Sequence, residues 1–289
     1  MKTKLRSWIG RLPYVGRERP PVVPVIRLHG TIGAAGGPLQ RGRSLSAQGL
    51  ASAIDRAFAL KQAKAVALSI NSPGGSAVQS ALIARHIRRK AEEKDKTVLA
   101  FIEDVGASGG YWLACAGDEI FADRASIVGS IGVITAGFGF VEAIRKLGVE
   151  RRVYTAGEEK ALLDPFQPED EDGIARLRAI QQDAHDAFRD MVRERRKDRL
   201  KAPEAELFDG RVFSGKRGLA VGLVDAIGSM DDVLRDRYGA KVRMPVVNAS
   251  KTWWPRRLLG GTGEATALRA LDAVLDGLEE RALWARYGL

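Results

Sequence analysis

The sequence predicts an α/β fold, on three observations. Short apolar runs of strand character alternate with segments of helical composition from about residue 22 to residue 238, and such alternation places helices over a parallel sheet. Two of the runs end in glycine-rich turns from which a helix departs, Pro73-Gly74-Gly75 and Gly106-Ala107-Ser108-Gly109-Gly110. With 289 residues and 45% hydrophobic content, the chain can bury one full core somewhat above 200 residues in extent, with appendages.

The elements come in a regular order. Residues 22–28 read as a strand, followed by a glycine-rich loop through Arg43 and a helix near 46–62. Ala65-Val66-Ala67-Leu68-Ser69-Ile70 is a continuous apolar run, the signature of a strand covered on both faces. It ends at Asn71-Ser72-Pro73-Gly74-Gly75, and 76–94 has helical composition. A strand at 97–103 leads to Ser108, which opens a helix through Ala116. Short strands are expected at 119–122 and 131–135, a helix near 139–147 and a strand at 149–154, leading into a loop that ends at Lys160. Residues 168–199 form one long helix, with the Arg- and Lys-rich stretch 193–201 as its solvated end. A strand-helix-strand unit comes next at 208–227, with Ser214 as helix cap.

Composition shifts at both ends. Lys2, Lys4, Arg6, Arg11, Arg17 and Arg19 stand against Glu18 alone, so about half of the formal net charge of +10 lies in the first 20 residues. Leu5, Trp8, Ile9 and Leu12 share one face of that segment if it is helical. A basic tail of this kind suits peripheral contact with an anionic membrane, and a frayed basic tail reads equally well. No nucleic-acid recognition motif accompanies the charge. Beyond residue 240, Trp253-Trp254-Pro255-Arg256-Arg257 suggests an interfacial contact, and Leu268, Leu271, Leu275, Leu278 and Ala282 line one stripe of a final helix. The expected organisation is a tail at 1–20, an enzymatic domain at 21–239 and a C-terminal helical extension at 240–289. No run of about 20 apolar residues and no signal peptide is readable, which suggests a cytoplasmic chain, peripheral at the inner face of the membrane. Cys115 is the sole cysteine and His29, His86 and His185 are the only histidines, so no metal-ligand spacing exists and no cofactor motif appears.

The chemistry starts from that shortage of histidine. Ser108 lies among glycines as a nucleophile would, and a serine hydroxyl needs a base within reach. Only His185 follows it in sequence, within a polar helical segment, which does not suit the hydrolase pattern that Gly106-Ala107-Ser108-Gly109-Gly110 superficially matches. A lysine serves instead if an apolar site keeps it neutral. Lys160 is the candidate, followed by Ala161, Leu162, Leu163, Pro165 and Phe166. The Pro-Gly-Gly turn before a helix exposes backbone N–H groups to an anion, and in acyl transfer that anion is the tetrahedral oxyanion.

In order and spacing, Asn71-Ser72-Pro73-Gly74-Gly75, Ala107-Ser108-Gly109-Gly110-Tyr111, Val128-Gly129-Ser130-Ile131-Gly132-Val133 and the loop ending at Lys160 resemble the signal peptide peptidase A family, most closely its SohB-like members. The resemblance spans about residues 22–238. It implies a crotonase- or Clp-like fold of repeated β-β-α units and a Ser/Lys endopeptidase, with Ser108 as nucleophile and Lys160 as general base. It further implies Gly74, Gly75 and Gly109 as the oxyanion hole and Ser130 as the hydroxyl that orients the lysine. Its implied partners are extended, largely apolar peptide substrates, such as released signal peptides or membrane-derived fragments, and further copies of the chain in a homo-oligomeric ring, in which one subunit can supply the lysine to the next. The acidic lead-in Glu103-Asp104 departs from the family pattern, because a carboxylate beside Lys160 would oppose its role as a base. An enoyl-CoA hydratase or isomerase, and a catalytically silent membrane-associated scaffold, remain open as alternatives.

Overall fold

The apolar run at 65–70 forms strand β2 (Ala65–Ser72), in which every residue except the half-buried Asn71 is buried. It lies between β1 (Val25–His29) and β3 (Thr97–Ala107), parallel to both. In the computed structural model, which describes residues 20–33, 44–247, 281 and 283–288, these strands begin a seven-stranded sheet. Its order is β1-β2-β3-β4-β7, with β4 at Glu119–Ala122 and β7 at Ala226–Ile227. A short branch, β5 (Ile127–Gly129) and β6 (Val212–Ser214), extends from the end of β3, and β5–β6 is the one antiparallel pair among the described strands. The protein is thus a mixed α/β domain on a mostly parallel sheet.

Alternate residues of each strand face opposite sides, and two cores result. One joins Leu28, Leu68, Ile70 and Ile102 to helices α1 (Ala47–Ala59), α2 (Ala77–Lys94) and α3 (Gly109–Ala114). The other joins Val25, Ala67, Leu99, Phe101 and Phe121 to Leu234 of a late helix and to Val242. Residues 242–247 run beside β1, where Val23 and Val25 donate to the Arg243 and Pro245 carbonyls. Side-chain caps fix the helix starts: Ser46 accepts from Gly49 N–H, Ser76 from Gln79 N–H and Ser214 from Arg217 N–H.

Between the two cores and the late helices the chain makes an exposed excursion. The strands expected at 131–135 and 149–154 are absent: 131–140 and 149–155 are irregular. Their apolar residues have no partner strand, and Ile134, Val149 and Tyr154 are 67%, 54% and 90% exposed. Helix α4 (Val141–Lys146), inside the expected 139–147, buries none of its residues. The chain returns through the long helix α5 (Glu171–Arg196), whose Phe188 stacks on Trp112 of α3 at 4.7 Å between ring centroids.

The end of α5 corrects the expectation of a solvated basic stretch. Arg196 is 1% exposed; its guanidinium bonds both carboxylate oxygens of Asp225, at 2.8 and 2.9 Å, and the Gly222 carbonyl. Arg195 donates to the Cys115 and Gly117 carbonyls. After the short α6 (Glu204–Leu207), the expected strand-helix-strand unit is present as β6, α7 (Gly215–Val221) and β7, followed by α8 (Met230–Tyr238). The N-terminal amphipathic segment, the Trp253-Trp254 segment and the stripe from Leu268 to Ala282 lie outside the described residues.

Burial opposes ionisation of Asp225, yet the hydrogen bonds and charge of Arg196 outweigh it and hold the carboxyl below the usual range. The stability this pair contributes is therefore present above the ordinary carboxylate pKa and lost as pH falls through the depressed one. Arg196→Met should lower the unfolding free energy at neutral pH by about 3–5 kcal/mol, because it strands a buried charge. In urea titrations the deficit should shrink as Asp225 is protonated; a deficit constant down to strongly acid pH would contradict the assignment.

Candidate active site

Strand β3 continues four residues beyond the expected Glu103 and delivers the chain to Ser108. Ser108 has φ +52° and ψ −123°, a conformation that costs a residue with a side chain about 1–3 kcal/mol. Tertiary contacts hold it there. Its N–H donates to the Gly129 carbonyl at 2.8 Å, and its carbonyl accepts from Trp112 N–H at 3.0 Å. The hydroxyl caps no helix and makes no hydrogen bond among the described residues. Ser108 is half-buried, at a sharp strand-to-helix corner of the kind that exposes a nucleophile.

The Asn71-Ser72-Pro73-Gly74-Gly75 turn lies directly against that corner. A Cβ on Gly74 would stand 2.8 Å from both the Ser108 Cβ and the Gly109 nitrogen, and φ there is +103°. Gly75, at φ +139°, is held by a bridge to Ile32, whose carbonyl oxygen would lie 2.0 Å from an added Cβ. These two positions accept only glycine. The Gly74 N–H donates to Ser72 Oγ at 3.2 Å. The N–H groups of Gly75 and Gly109 have no acceptor among the described residues. Gly109, as the first residue of α3, has no intrahelical acceptor for its N–H.

Ser130 lies next to Ser108 across the β3–β5 register, in which Ala107 pairs with Gly129. It too has φ +52°, and its N–H donates to the Arg211 carbonyl at 2.8 Å. The following carbonyl, of Ile131, accepts from His185 Nε2–H at 3.1 Å. His185 therefore braces this turn from α5. Lys160 lies in a 3-10 turn (Glu158–Ala161) on the exposed excursion. Its side chain is exposed and makes no hydrogen bond or ion pair among the described residues. The structure thus brings Ser108, Gly74, Gly75, Gly109 and Ser130 together, and among the described residues it gives no hydrogen bond between them and the Lys160 side chain.

Other groups that could compete for a role are engaged elsewhere. Asp104 accepts from Asn71 Nδ2 at 2.7 Å, so its carboxylate is bound to the turn and not to Lys160. The Ser69 hydroxyl donates to Glu103 and accepts from His29 Nε2–H at 2.7 Å; it is 2% exposed, so this Ser-His-Glu cluster presents no free nucleophile. Burial pushes the Cys115 thiol up to about 11, which leaves it protonated and inert. A cavity of about 550 Å³ lined by Phe101, Glu103, Asp104, Asp123, Ser126 and Met230 includes none of the glycine-motif residues. Sequence reasoning missed Asn71 as a clamp, the Ile32 bridge and Tyr287, whose hydroxyl lies 3.4 Å from the Pro73 carbonyl. Only the position of Asn71, opening the turn motif, offered a signal.

Residues 90–241 match the profile of Peptidase family S49. The chain is 49% identical over 274 residues to a Brucella abortus protein named Na(+)/H(+) antiporter NhaA, covering 92% of this chain and 37% of that protein. It is 35% identical over 276 residues to Serine protease SPPA, chloroplastic, of Arabidopsis thaliana, covering 91% of this chain and 39% of that one. It is 33% identical over 181 residues to Protease 4 of Haemophilus influenzae, covering 59% and 27%. The chain spans well under half the length of each of these three relatives.

Gly74→Ala introduces a methyl group where Ser108 and Gly109 leave no space. Labelling of Ser108 by a fluorophosphonate should slow by about a hundredfold, the cost of roughly 1 Å of misplacement. Gly137→Ala, whose added carbon meets nothing within 4 Å, should label like wild type. Equal labelling of both variants would show that the Gly74 contact does not set the geometry of Ser108.

Proposed function

The chain belongs to peptidase family S49, the family of signal peptide peptidase A, and from that premise we propose that it is a serine endopeptidase with a Ser108-Lys160 dyad. The observation that carries the reading is the strained Ser108 corner beside two backbone N–H groups, of Gly75 and Gly109, that have no acceptor among the described residues. Ser108 Oγ attacks the scissile carbonyl while neutral Lys160 Nζ takes its proton. The tetrahedral oxyanion accepts from Gly75 and Gly109 N–H, with Gly74 providing the close approach. Removing one such donor typically costs about 3 kcal/mol of barrier. As the intermediate collapses, Lys160 returns the proton to the departing amine; it then activates water to hydrolyse the acyl-enzyme. Ser130, beside Ser108 in the strand register, orients the lysine. No metal or cofactor takes part.

The exposed excursion supports a dyad formed between subunits. Lys160 is exposed and makes no hydrogen bond to Ser108, on a segment whose Ile134, Phe138 and Leu147 are 67%, 81% and 76% exposed. Solvated apolar surface of this extent favours association. We propose a homo-oligomeric ring of crotonase- or Clp-like protomers, in which a neighbour's excursion brings Lys160 to Ser108 and buries it. Enclosed sites would admit extended, largely apolar chains such as released signal peptides. The basic tail suits a cytoplasmic protein that is peripheral at the inner face of the membrane. The antiporter name of the Brucella relatives is not carried over: the match covers 37% of each, and among the described residues no helix is long and apolar enough to cross a membrane. The hydratase alternative lacks support, since both carboxylates in the lead-in to Ser108 are engaged, Asp104 by Asn71 and Glu103 by Ser69.

Ser108→Ala and Lys160→Ala should each abolish peptide hydrolysis with oligomer size unchanged, and Lys160→Arg should be equally inactive because a guanidinium stays protonated. Mixing the two inactive alanine variants should restore activity through interfaces that pair an intact Ser108 with an intact Lys160. Subunit exchange shown by a tag, without recovered hydrolysis, would place the dyad within one chain. Full activity in Lys160→Ala would remove the lysine from the mechanism.

A further inference from the structure

Strands β2 and β3 lose register where the two glycine motifs begin. Ile70 pairs with Ile102, but the next matched pair is Ser72 with Gly106. While β2 advances two residues, β3 therefore advances four, and the surplus bulges at Glu103, Asp104 and Val105. A bulge leaves ladder groups unpaired and re-aims the chain beyond it, here Gly106-Ala107-Ser108. Asn71 stands opposite this bulge and occupies it on both sides. Its Oδ1 accepts from Val105 N–H at 3.2 Å and its Nδ2 donates to Asp104 at 2.7 Å. Its main-chain carbonyl accepts from Gly30 N–H at 2.9 Å, which ties in β1 as well. The residue after Asn71 begins the turn that carries Gly74 and Gly75.

We propose that Asn71, with Asp104 as its acceptor, is a positioning residue that fixes the distance between the oxyanion turn and Ser108. The proposal rests on the peptidase reading. A side-chain amide suits the place because it accepts from a backbone N–H and donates to a carboxylate at once. The bond to a charged acceptor is the stronger of the two. The acidic lead-in to Ser108 thereby acquires a function: Asp104 is the half of the clamp that β3 contributes. The amide of Asn71 is spent on Val105 N–H and Asp104, so we expect its loss to appear in the chemical step and not in substrate affinity.

The test is a reciprocal exchange in the full chain. Asn71→Asp sets one carboxylate against another, and the resulting displacement should lower kcat by at least about tenfold with KM within about twofold. The rate of Ser108 labelling by fluorophosphonate should fall in parallel. Asn71→Asp/Asp104→Asn reverses donor and acceptor and should return kcat to within about threefold of wild type. If Asn71→Asp does not fold, Asp104→Ala reads the same contact from an exposed position: kcat should drop about fivefold at unchanged thermal midpoint. Wild-type kcat in Asn71→Asp, an exchanged pair as slow as the single variant at native stability, or wild-type kcat in Asp104→Ala would overturn the proposal. A wild-type protein without Ser108-dependent labelling or hydrolysis would instead overturn the peptidase reading beneath it.

Discussion

The arrangement of the site depends on the parallel pairing of β2 with β3. β2 is almost wholly buried and β3 is buried except at Thr97, Glu103 and Asp104, so their register is set by two packed faces and cannot slip by one residue without exchanging side chains between the two cores. Because the strands are parallel, their C-terminal ends lie side by side. The turn after β2 and the corner after β3 must then meet, and in open α/β sheets such ends are where ligands bind. Gly74 records how closely they meet, since no Cβ fits between it and Ser108. The same pairing that builds the core thus brings together a serine, two backbone N–H groups without acceptors among the described residues and a second serine at the end of β5.

The excursion that carries Lys160 is anchored at both feet and held between them by its own contacts, among them Arg151 with Asp164 and Phe140 with Phe166. It leaves from the Ser130 turn, where Arg211 and His185 hold the backbone. It returns along α5, whose Phe188 stacks on Trp112 and whose Arg196 is buried against Asp225. Asp225 in turn accepts from Ile120 N–H and donates its own N–H to the Ile120 carbonyl, which joins the end of α5 to β4. Bonded feet and a largely exposed span leave the segment between them on the surface. Within one chain Phe138, Phe140 and Phe166 pack on one another and on Arg151, while Ile134, Leu147 and Tyr154 stay exposed, so the free energy available from covering those three remains for contact with another surface.

The features legible in the sequence are local ones. The β2 run, the Ser214 cap and both glycine motifs depend on residue types at short spacing, and each forms as its pattern suggests. Residues 131–135 imitate a strand for a physical reason: an apolar run has the same composition whether a sheet covers it or not, and in 149–154 the β-branched and aromatic Val149, Val153 and Tyr154 give strand character to a segment that no strand pairs with. The burial of Arg196 is hidden because it depends on Asp225, 29 residues away, and an arginine-rich helix end is ordinarily solvated. The Asn71–Asp104 contact is hidden in the same way. Asp104 points to a conflict with Lys160 only while its partner across the register break is unknown.

The scarcity of histidine has a structural counterpart. His86 pairs with Asp55 on the surface of α1 and α2, His29 bonds Ser69, and His185 donates to a main-chain carbonyl. None of the three contacts Ser108. With Asp104 bound by Asn71 and the Cys115 thiol buried, no described side chain of the same protomer hydrogen-bonds the Ser108 hydroxyl. A lysine that replaces histidine must lose its solvent to become neutral, and an exposed position on a projecting segment does not remove it. Desolvation and delivery then become one event. The contact that would cover the apolar residues flanking Lys160 is also the contact that would carry its amine to a serine on another chain, so such an enzyme would gain its base only on assembly.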